Sequence, residues 1–372
     1  MKILHVTKKY PPAIGGDAMV VSILEKQQVE SGHNVAILTS NCIEIPAGNQ
    51  VLKFGLKEAA QNLDRITLKR LFSLVLLFMD SFRLLRRIRP DLIHCHEEDL
   101  GFALSLASRW TKTPMIVTCH GVSFPYQQYF WLKRMAERFF LKYSGFKKII
   151  TVDEMSLPSF AQANIPNAIF IPNGINVKMF EREHRKRSDR TIFLFVGRLE
   201  EQKGLLYLLL AAQSLLQMNP NFEIHLIGEG SLDSYLKEQV GKLGLQNHIR
   251  FLGSKRPEDM VDYYLQSDIF ILPSIWEGMP LTLLEAWAAG LPVIITPVGS
   301  IPKICQDGEN ALLIPPRDAP KTAQAMFMLL QDQNLRKKLG ERGKCLVYRD
   351  YTWDKFAQRV EKIYDEVLEQ EG

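Results

Sequence analysis

The chain has 372 residues, with 46 Lys+Arg against 41 Asp+Glu, a formal net charge of +5, 46% hydrophobic and 23% charged residues. At roughly 100–200 residues per domain that length suggests two domains, each with its own core. The composition excludes a largely disordered chain, a collagen-like repeat and a coiled coil, and no apolar run approaches the ~18–20 residues of a spanning helix.

The opening segment reads as a first strand, Lys2–Thr7, rather than a secretory leader. Apolar, β-branched runs then predict strands at Asn34–Thr39, Asp91–Cys95, Met115–Cys119, Lys148–Val152 and Ile169–Ile171. A second series is predicted at Thr191–Val196, Glu223–Ile227, Ile249–Leu252, Ile269–Leu272, Pro292–Ile295 and Ala311–Ile314. Helical patterns lie between, among them Leu205–Gln217, Leu232–Leu243 and Leu281–Ala289. Strands apolar throughout are those of parallel sheets buried on both faces, and the strand–helix–strand order implies double winding. The expected fold is therefore α/β, with two Rossmann-like domains facing each other across a cleft. Residues 1–177 form the first, the polar and basic stretch 178–190 a linker, and 191–354 the second. A final amphipathic helix over about 355–372, with Thr352 as its cap, is expected to pack back on the first domain.

The charge is uneven. Residues 1–185 hold 24 Lys+Arg and 16 Asp+Glu, a net +8, and the remainder is net −3. The cysteines (Cys42, Cys95, Cys119, Cys305 and Cys345) are odd in number, scattered and without a CxxC pair, as expected of free thiols in a reducing cytoplasm.

Open α/β sheets bind ligands beyond the carboxyl ends of their strands, so chemistry is expected in the loops that follow strands. The first such loop runs from Lys8 to the pair Gly15-Gly16, where a helix begins. Paired glycines at a helix start let backbone N–H groups approach an anion; a turn needing positive φ explains them equally. No GxGxxG is present, so the nicotinamide fingerprint is absent. The loop Gly197-Arg198-Leu199-Glu200-Glu201-Gln202-Lys203-Gly204 carries two cations. They suit a departing diphosphate, or they pair at the surface with Glu200 and Glu201.

The loop from Pro273 to Glu285 is the most informative. Pro280 suits a helix start, Glu277 precedes that helix and Glu285 lies inside it. The first-turn N–H groups between the two acids form an anion site, and an acid between Leu284 and Ala286 needs a partner or a ligand. His120 ends a strand and is a candidate for the site or for a bond to a backbone carbonyl. His94 and His96 flank Cys95, and their alternation onto opposite faces would make a poor metal site. No paired-aspartate motif for a divalent ion is present.

In order along the chain, these segments resemble the family-four retaining glycosyltransferases of the two-Rossmann GT-B architecture. The resemblance rests on Pro11-Pro12 with Gly15-Gly16, Pro90-Asp91-Leu92-Ile93-His94, Thr118-Cys119-His120-Gly121 and Ile171-Pro172-Asn173-Gly174-Ile175-Asn176. Gly197-Arg198, Lys203-Gly204, Glu277 with Glu285, Gly290 with Pro292-Val293-Ile294, and Asp307-Gly308 with Asn310 complete it. It implies that Arg198 and Lys203 hold the donor diphosphate, Glu277 contacts the donor sugar, Glu285 the ribose, and His120 lies beside the sugar. Gly15, Gly16, Gly197, Gly278, Met279, Pro280 and Leu281 are the implied donor-binding positions. One departure is Gly299-Ser300-Ile301-Pro302-Lys303, where the family usually shows two glycines and then an acid.

The implied activity is transfer of a sugar, with retention, from a nucleotide-diphosphate donor to an acceptor hydroxyl in cell-surface polysaccharide, lipopolysaccharide or glycolipid synthesis. Uridine diphosphate is favoured over guanosine diphosphate, and neither a metal nor a separate cofactor is implied. A sugar-nucleotide epimerase and a non-catalytic nucleotide-sugar-binding protein are the alternatives. The acceptor would be a glycan or a lipid-linked sugar. Basic, apolar stretches at Lys69–Arg89 and Tyr126–Lys148 suggest contact with an anionic membrane at its cytoplasmic face. No nucleic-acid-binding module is recognisable.

Overall fold

The computed structural model describes residues 1–11, 16–40, 50–53, 68–124, 130–182 and 189–370, without the side chains of 16–17, 50–51, 53, 68–71 and 257. Two compact units result: Met1–Pro172 together with Asp354–Gly372, and Asn173–Trp353.

The first unit is a parallel sheet of β1 (Lys2–Thr7), β2 (Asn34–Thr39), β3 (Gln50–Lys53), β4 (Leu92–Cys95), β5 (Met115–Cys119), β6 (Lys148–Thr151) and β7 (Ala168–Phe170). Its order is β3-β2-β1-β4-β5-β6-β7. Its helices are α1 (Gly16–Glu30), α2 (Leu68–Ile88), α3 (Glu98–Thr111), α4 (Trp131–Tyr143) and α5 (Leu157–Gln162). In β1 every residue from Ile3 on is buried, as a central strand covered on both faces requires. The edge strand β3 was not anticipated: it is four residues long and pairs with β2 alone, too short to show a pattern.

The second unit holds β8 (Thr191–Val196), β9 (Phe222–Ile227), β10 (Ile249–Gly253), β11 (Ile269–Leu272), β12 (Val293–Ile295) and β13 (Leu312–Leu313), ordered β10-β9-β8-β11-β12-β13. Its helices are α6 (Leu205–Met218), α7 (Asp233–Lys242), α8 (Pro257–Leu265), α9 (Leu281–Ala288), α10 (Ala319–Gln331) and α11 (Gln333–Asp350). Residues from Asn173 onward group with this unit. There Ile175 exchanges backbone hydrogen bonds with Tyr351 and Trp353. A Cβ on Gly174 would lie 2.5 Å from the Thr352 backbone, so only glycine permits the crossing.

The last helix, α12 (Trp353–Glu369), belongs with the first unit from Asp354 on. It buries Phe356, Val360, Ile363, Tyr364 and Val367, the stripe of a helix amphipathic at a 3.6-residue period. Among the described residues no helix is long and apolar enough to cross a membrane. Cys95, Cys119, Cys305 and Cys345 are free thiols, and Cys42 lies outside the described residues.

Candidate active site

Each sheet reverses its winding beside its first strand: β1 lies between β2 and β4, and β8 between β9 and β11. The two loops leaving such a pair diverge and open a crevice beyond the carboxyl ends. In both units the polar side chains gather there.

In the second unit the loops after β8 and β11 are stitched together. Ile275 donates its N–H to the Gln202 carbonyl at 2.7 Å, and the Gln202 amide donates to the Trp276 carbonyl at 3.1 Å. Lys203 Nζ lies 2.6 Å from Glu277 Oε1, and Ser274 Oγ donates to the same oxygen at 2.6 Å. Their side chains are 13% and 6% exposed, so the pair is largely desolvated. The Lys203 stem passes Gly197: a Cβ there would meet Lys203 Cε at 3.4 Å. Arg198 is exposed. Of its two acidic neighbours, Glu200 accepts from Ser231 N–H and Oγ, and these bonds hold its carboxyl below the usual range. The surface pairing of Lys203 with Glu200 or Glu201 is thus replaced by pairing with Glu277, which sequence spacing does not reveal because 74 residues intervene.

Helix α9 begins at Leu281 with Pro280 as the residue before it, at φ −74°, the angle its ring prefers. The first-turn N–H groups lack intrahelical partners by construction. Met279 and Leu281 are half-buried against the second core. The departing segment after β12 supports this loop: Ser300 N–H donates to the Gly278 carbonyl at 3.3 Å. Gly299 has φ +59°, and a Cβ on it would lie 1.9 Å from the Glu277 carbonyl oxygen. The retained glycine is therefore a steric requirement of the Glu277 turn.

Glu285, one helical turn into α9, is not part of the Lys203 network. Its Oε2 accepts from the Tyr264 hydroxyl on α8 at 2.6 Å. Burial raises its carboxyl to about 7, against the lowering effect of that bond. The partner expected for this acid is thus Tyr264, which the sequence reading did not single out.

In the first unit the crevice is lined by histidines. His5 on β1 and His94 on β4 are paired in register, and His96 and His120 follow β4 and β5. The expectation that His94 and His96 face opposite ways is overturned. Residues two apart in an extended segment share a face, and these rings stack at 4.4 Å. His5, His94 and His96 are buried, and they offer ligand atoms all within 4.8 Å of one another. Yet every ring nitrogen of the trio already meets a polar side chain: His5 meets Gln28 and His96, His94 meets Tyr364 and Thr118, and His96 also meets His120. A donor set engaged in this way fits a hydrogen-bonded network better than a metal cage. Beside it, Lys8 Nζ pairs with Asp99 at 2.8 Å, while burial pushes the Glu98 carboxyl up.

The structure thus joins Lys203 to Glu277 with Gly197 alongside, and ties His120 to His96. Gly15 lies outside the described residues, and Gly16 is the first residue of α1. Tyr264, His5 and Gln28 were missed, and His96 was weighed only as a poor metal ligand. A period-two pairing of His94 with His96 was the one local signal available for part of this set.

Two family models cover most of the chain: Glycosyltransferase Family 4 matches residues 14–178 and Glycosyl transferases group 1 matches residues 177–345. An uncharacterized glycosyltransferase of Methanocaldococcus jannaschii is 31% identical over 74% of this chain and 76% of its own length. The phosphatidyl-myo-inositol mannosyltransferase of Mycolicibacterium smegmatis is 28% identical over 74% of this chain and 71% of its own. Among solved structures, sucrose-phosphate synthase from Thermosynechococcus elongatus superposes with a TM-score of 0.80 over 99% of both chains at 21% identity, a likeness of fold.

Proposed function

The chain belongs to the family-four, group 1 glycosyltransferases, and on that premise we propose a retaining, metal-independent transfer of a sugar from a nucleoside-diphosphate donor to a glycan or lipid-linked hydroxyl. The observation that carries this reading is the Lys203–Glu277 pair, 2.6 Å apart in the loops at the β8/β11 switch point and just before α9. As the bond to the diphosphate breaks, negative charge grows on the leaving oxygens. Arg198, Lys203 and the first N–H groups of α9, entered through Gly278–Leu281, stabilise that charge. Gly197 lets the backbone approach the phosphates. Glu277 serves the sugar, where positive charge develops, and Glu285 in its ionised form accepts from the ribose hydroxyls. His120 is a hydrogen-bond partner for the sugar, and Gly16, the first residue of α1, belongs to the proposed donor-binding positions. The new bond forms from the acceptor oxygen to the anomeric carbon as the bond to phosphate breaks on the same face, and the acceptor proton passes to the departing phosphate oxygen.

Uridine diphosphate is the preferred nucleotide of this proposal, ahead of guanosine diphosphate. A fold neighbour from Anabaena was solved in complex with UDP-glucose, which supports the preference. Incubating the protein with UDP- and GDP-sugars and an extract of acceptors tests the reading. Transfer is expected; epimerised donor or no turnover overturns it. Activity is expected to persist in EDTA. Complete loss restored by Mg²⁺ or Mn²⁺ removes the metal-independent part.

The proposal includes docking of the first unit on an anionic membrane at its cytoplasmic face. Of the residues on α4, Glu137 and Leu141 are buried, while Trp131 is 56% and Met135 60% exposed. On α2 and α3, Met79 and Trp110 are exposed as well, with Arg86 over the Trp110 ring at 4.2 Å. Core packing accounts for few of these apolar side chains. Lys133, Arg138 and Lys142 are exposed on α4 itself, and each well-placed cation contributes ~1 kcal/mol at an anionic surface. The protein should float with phosphatidylserine vesicles at low salt and not with phosphatidylcholine vesicles; failure to float with either overturns the docking.

A further inference from the structure

We infer that Gln28, His5 and His96 are positioning residues that fix the tautomer of His120, holding its proton on Nε2 and leaving Nδ1 as the acceptor nitrogen. The inference starts at a side chain whose donor and acceptor ends differ. The Gln28 amide nitrogen donates to the Tyr364 hydroxyl at 3.1 Å, and its Oε1 lies 2.7 Å from His5 Nε2. An amide oxygen only accepts, so His5 carries its proton on Nε2 and its Nδ1 must accept. His5 Nδ1 lies 2.9 Å from His96 Nε2, which therefore donates, leaving His96 Nδ1 to accept. His96 Nδ1 lies 3.2 Å from His120 Nε2, which donates in turn. Three hydrogen bonds thus transmit one polarity from α1 to the end of β5.

The other arm agrees. Tyr364 uses an oxygen lone pair for Gln28, so its proton goes to His94 Nδ1 at 2.6 Å, and His94 Nε2–H donates to Thr118 Oγ1 at 2.7 Å. Every bond then holds one proton and every ring is neutral. Burial favours that state, since desolvation lowers His5 to about 4 and carries His94 and His96 well below the ordinary histidine value. Turning the Gln28 amide over would reverse every proton in the chain and place the His120 proton on Nδ1. The polarity is therefore set by one amide, held in turn by Tyr364 of the C-terminal helix.

Long-range ¹H–¹⁵N correlation spectra of the uniformly ¹⁵N-labelled full chain, with His120 assigned by loss of its signals in His120→Gln, read the tautomer directly. The wild type should show His120 as the Nε2–H form. An Nδ1–H form, or a near-equal mixture, in the wild type overturns the inference without any variant. Gln28→Leu should turn His120 into a mixture. Thr118→Val, an equally buried change on the other arm, should leave it as Nε2–H; the same scrambling in both variants overturns a specific role for Gln28. One zinc per chain, retained through purification and lost when His94 is replaced, would also overturn it, because coordination takes the lone pairs. The kinetic arm rests on the proposed role of His120. Gln28→Leu should lower kcat about tenfold with the donor KM within twofold. A scrambled tautomer with unchanged kcat supports the positioning of His120 and removes His120 from the proposed active site.

Discussion

The two sheets reverse at corresponding strands, and each switch point holds a buried ion pair, Lys8–Asp99 and Lys203–Glu277, but among the described residues only the first adds a cluster of buried imidazoles. Beside β1 and β4, three of four imidazoles are fully buried and neutral, their ring nitrogens taken up by neighbouring imidazoles, Gln28, Tyr364 and Thr118. Beside β8 and β11, Lys203 lies against Glu277, with Arg198 exposed. Burial without counter-charge neutralises a titratable group, whereas burial with a partner preserves the charge but makes each member depend on the other. The first arrangement positions; the second can stabilise an anion.

The largest effect that would sharpen this contrast is expected from Lys203→Ala. It removes a cation from the proposed phosphate site and strands Glu277 in a desolvated position. Breaking such a pair costs about 3–5 kcal/mol of stability. Activity should fall at least a hundredfold, on the scale of losing one charge-stabilising donor. Chemical denaturation and initial rates measure both. A variant as stable and active as the wild type would show the pair to be idle.

Next come the two acids. Glu277→Gln should cut kcat steeply and leave nucleoside-diphosphate affinity unchanged or tighter, because Lys203 is released to the phosphate. Glu285→Gln should weaken that affinity by ~1.5–3 kcal/mol, the value of hydrogen bonds to a charged group, with a smaller effect on kcat. Calorimetric titration beside steady-state rates separates the cases, and the opposite pattern would reverse the two roles. Glu285 adds a pH signature. Its carboxyl is raised to about 7 in the fold by burial. The folded state therefore binds this proton more tightly than the unfolded chain, whose value is near 4.3. This contribution to stability is full below that unfolded value and is lost as pH rises toward 7. Glu285→Gln should flatten this part of the pH–Tm curve, while donor affinity in the wild type should rise through the same interval as the carboxylate forms.

The smallest effect on ligand binding is expected from Tyr364→Phe in the first unit. It leaves the Gln28 amide and His94 short of a partner, costing about 1–3 kcal/mol of stability. Nucleoside-diphosphate affinity should not change. A large change in affinity would mean that the switch points are not functionally separate.

Much of the fold was legible because buried parallel strands are written as short apolar runs: β1, β2, β5, β8 and β11 begin and end where the pattern predicts. The edge strand β3 was not, since four residues paired on one side carry too little hydrophobic signal. Position after a strand was legible, and Arg198, Lys203, Glu277 and His120 do lie in loops that follow β8, β11 and β5. Their partners were not. Alternation along an extended segment does fix that His94 and His96 share a face, and a stricter count of period two would have read it.

The sequence by itself determined the course of most strands and which loops carry charge, since these follow from local pattern. The tertiary structure alone decided that Lys203 meets Glu277, that Glu285 meets Tyr264, and that Tyr364 reaches His94 across 270 residues of sequence. Hydrogen bonds and ion pairs act within about 3 Å, and nothing in the linear pattern states which distant side chains the packed sheets bring that close.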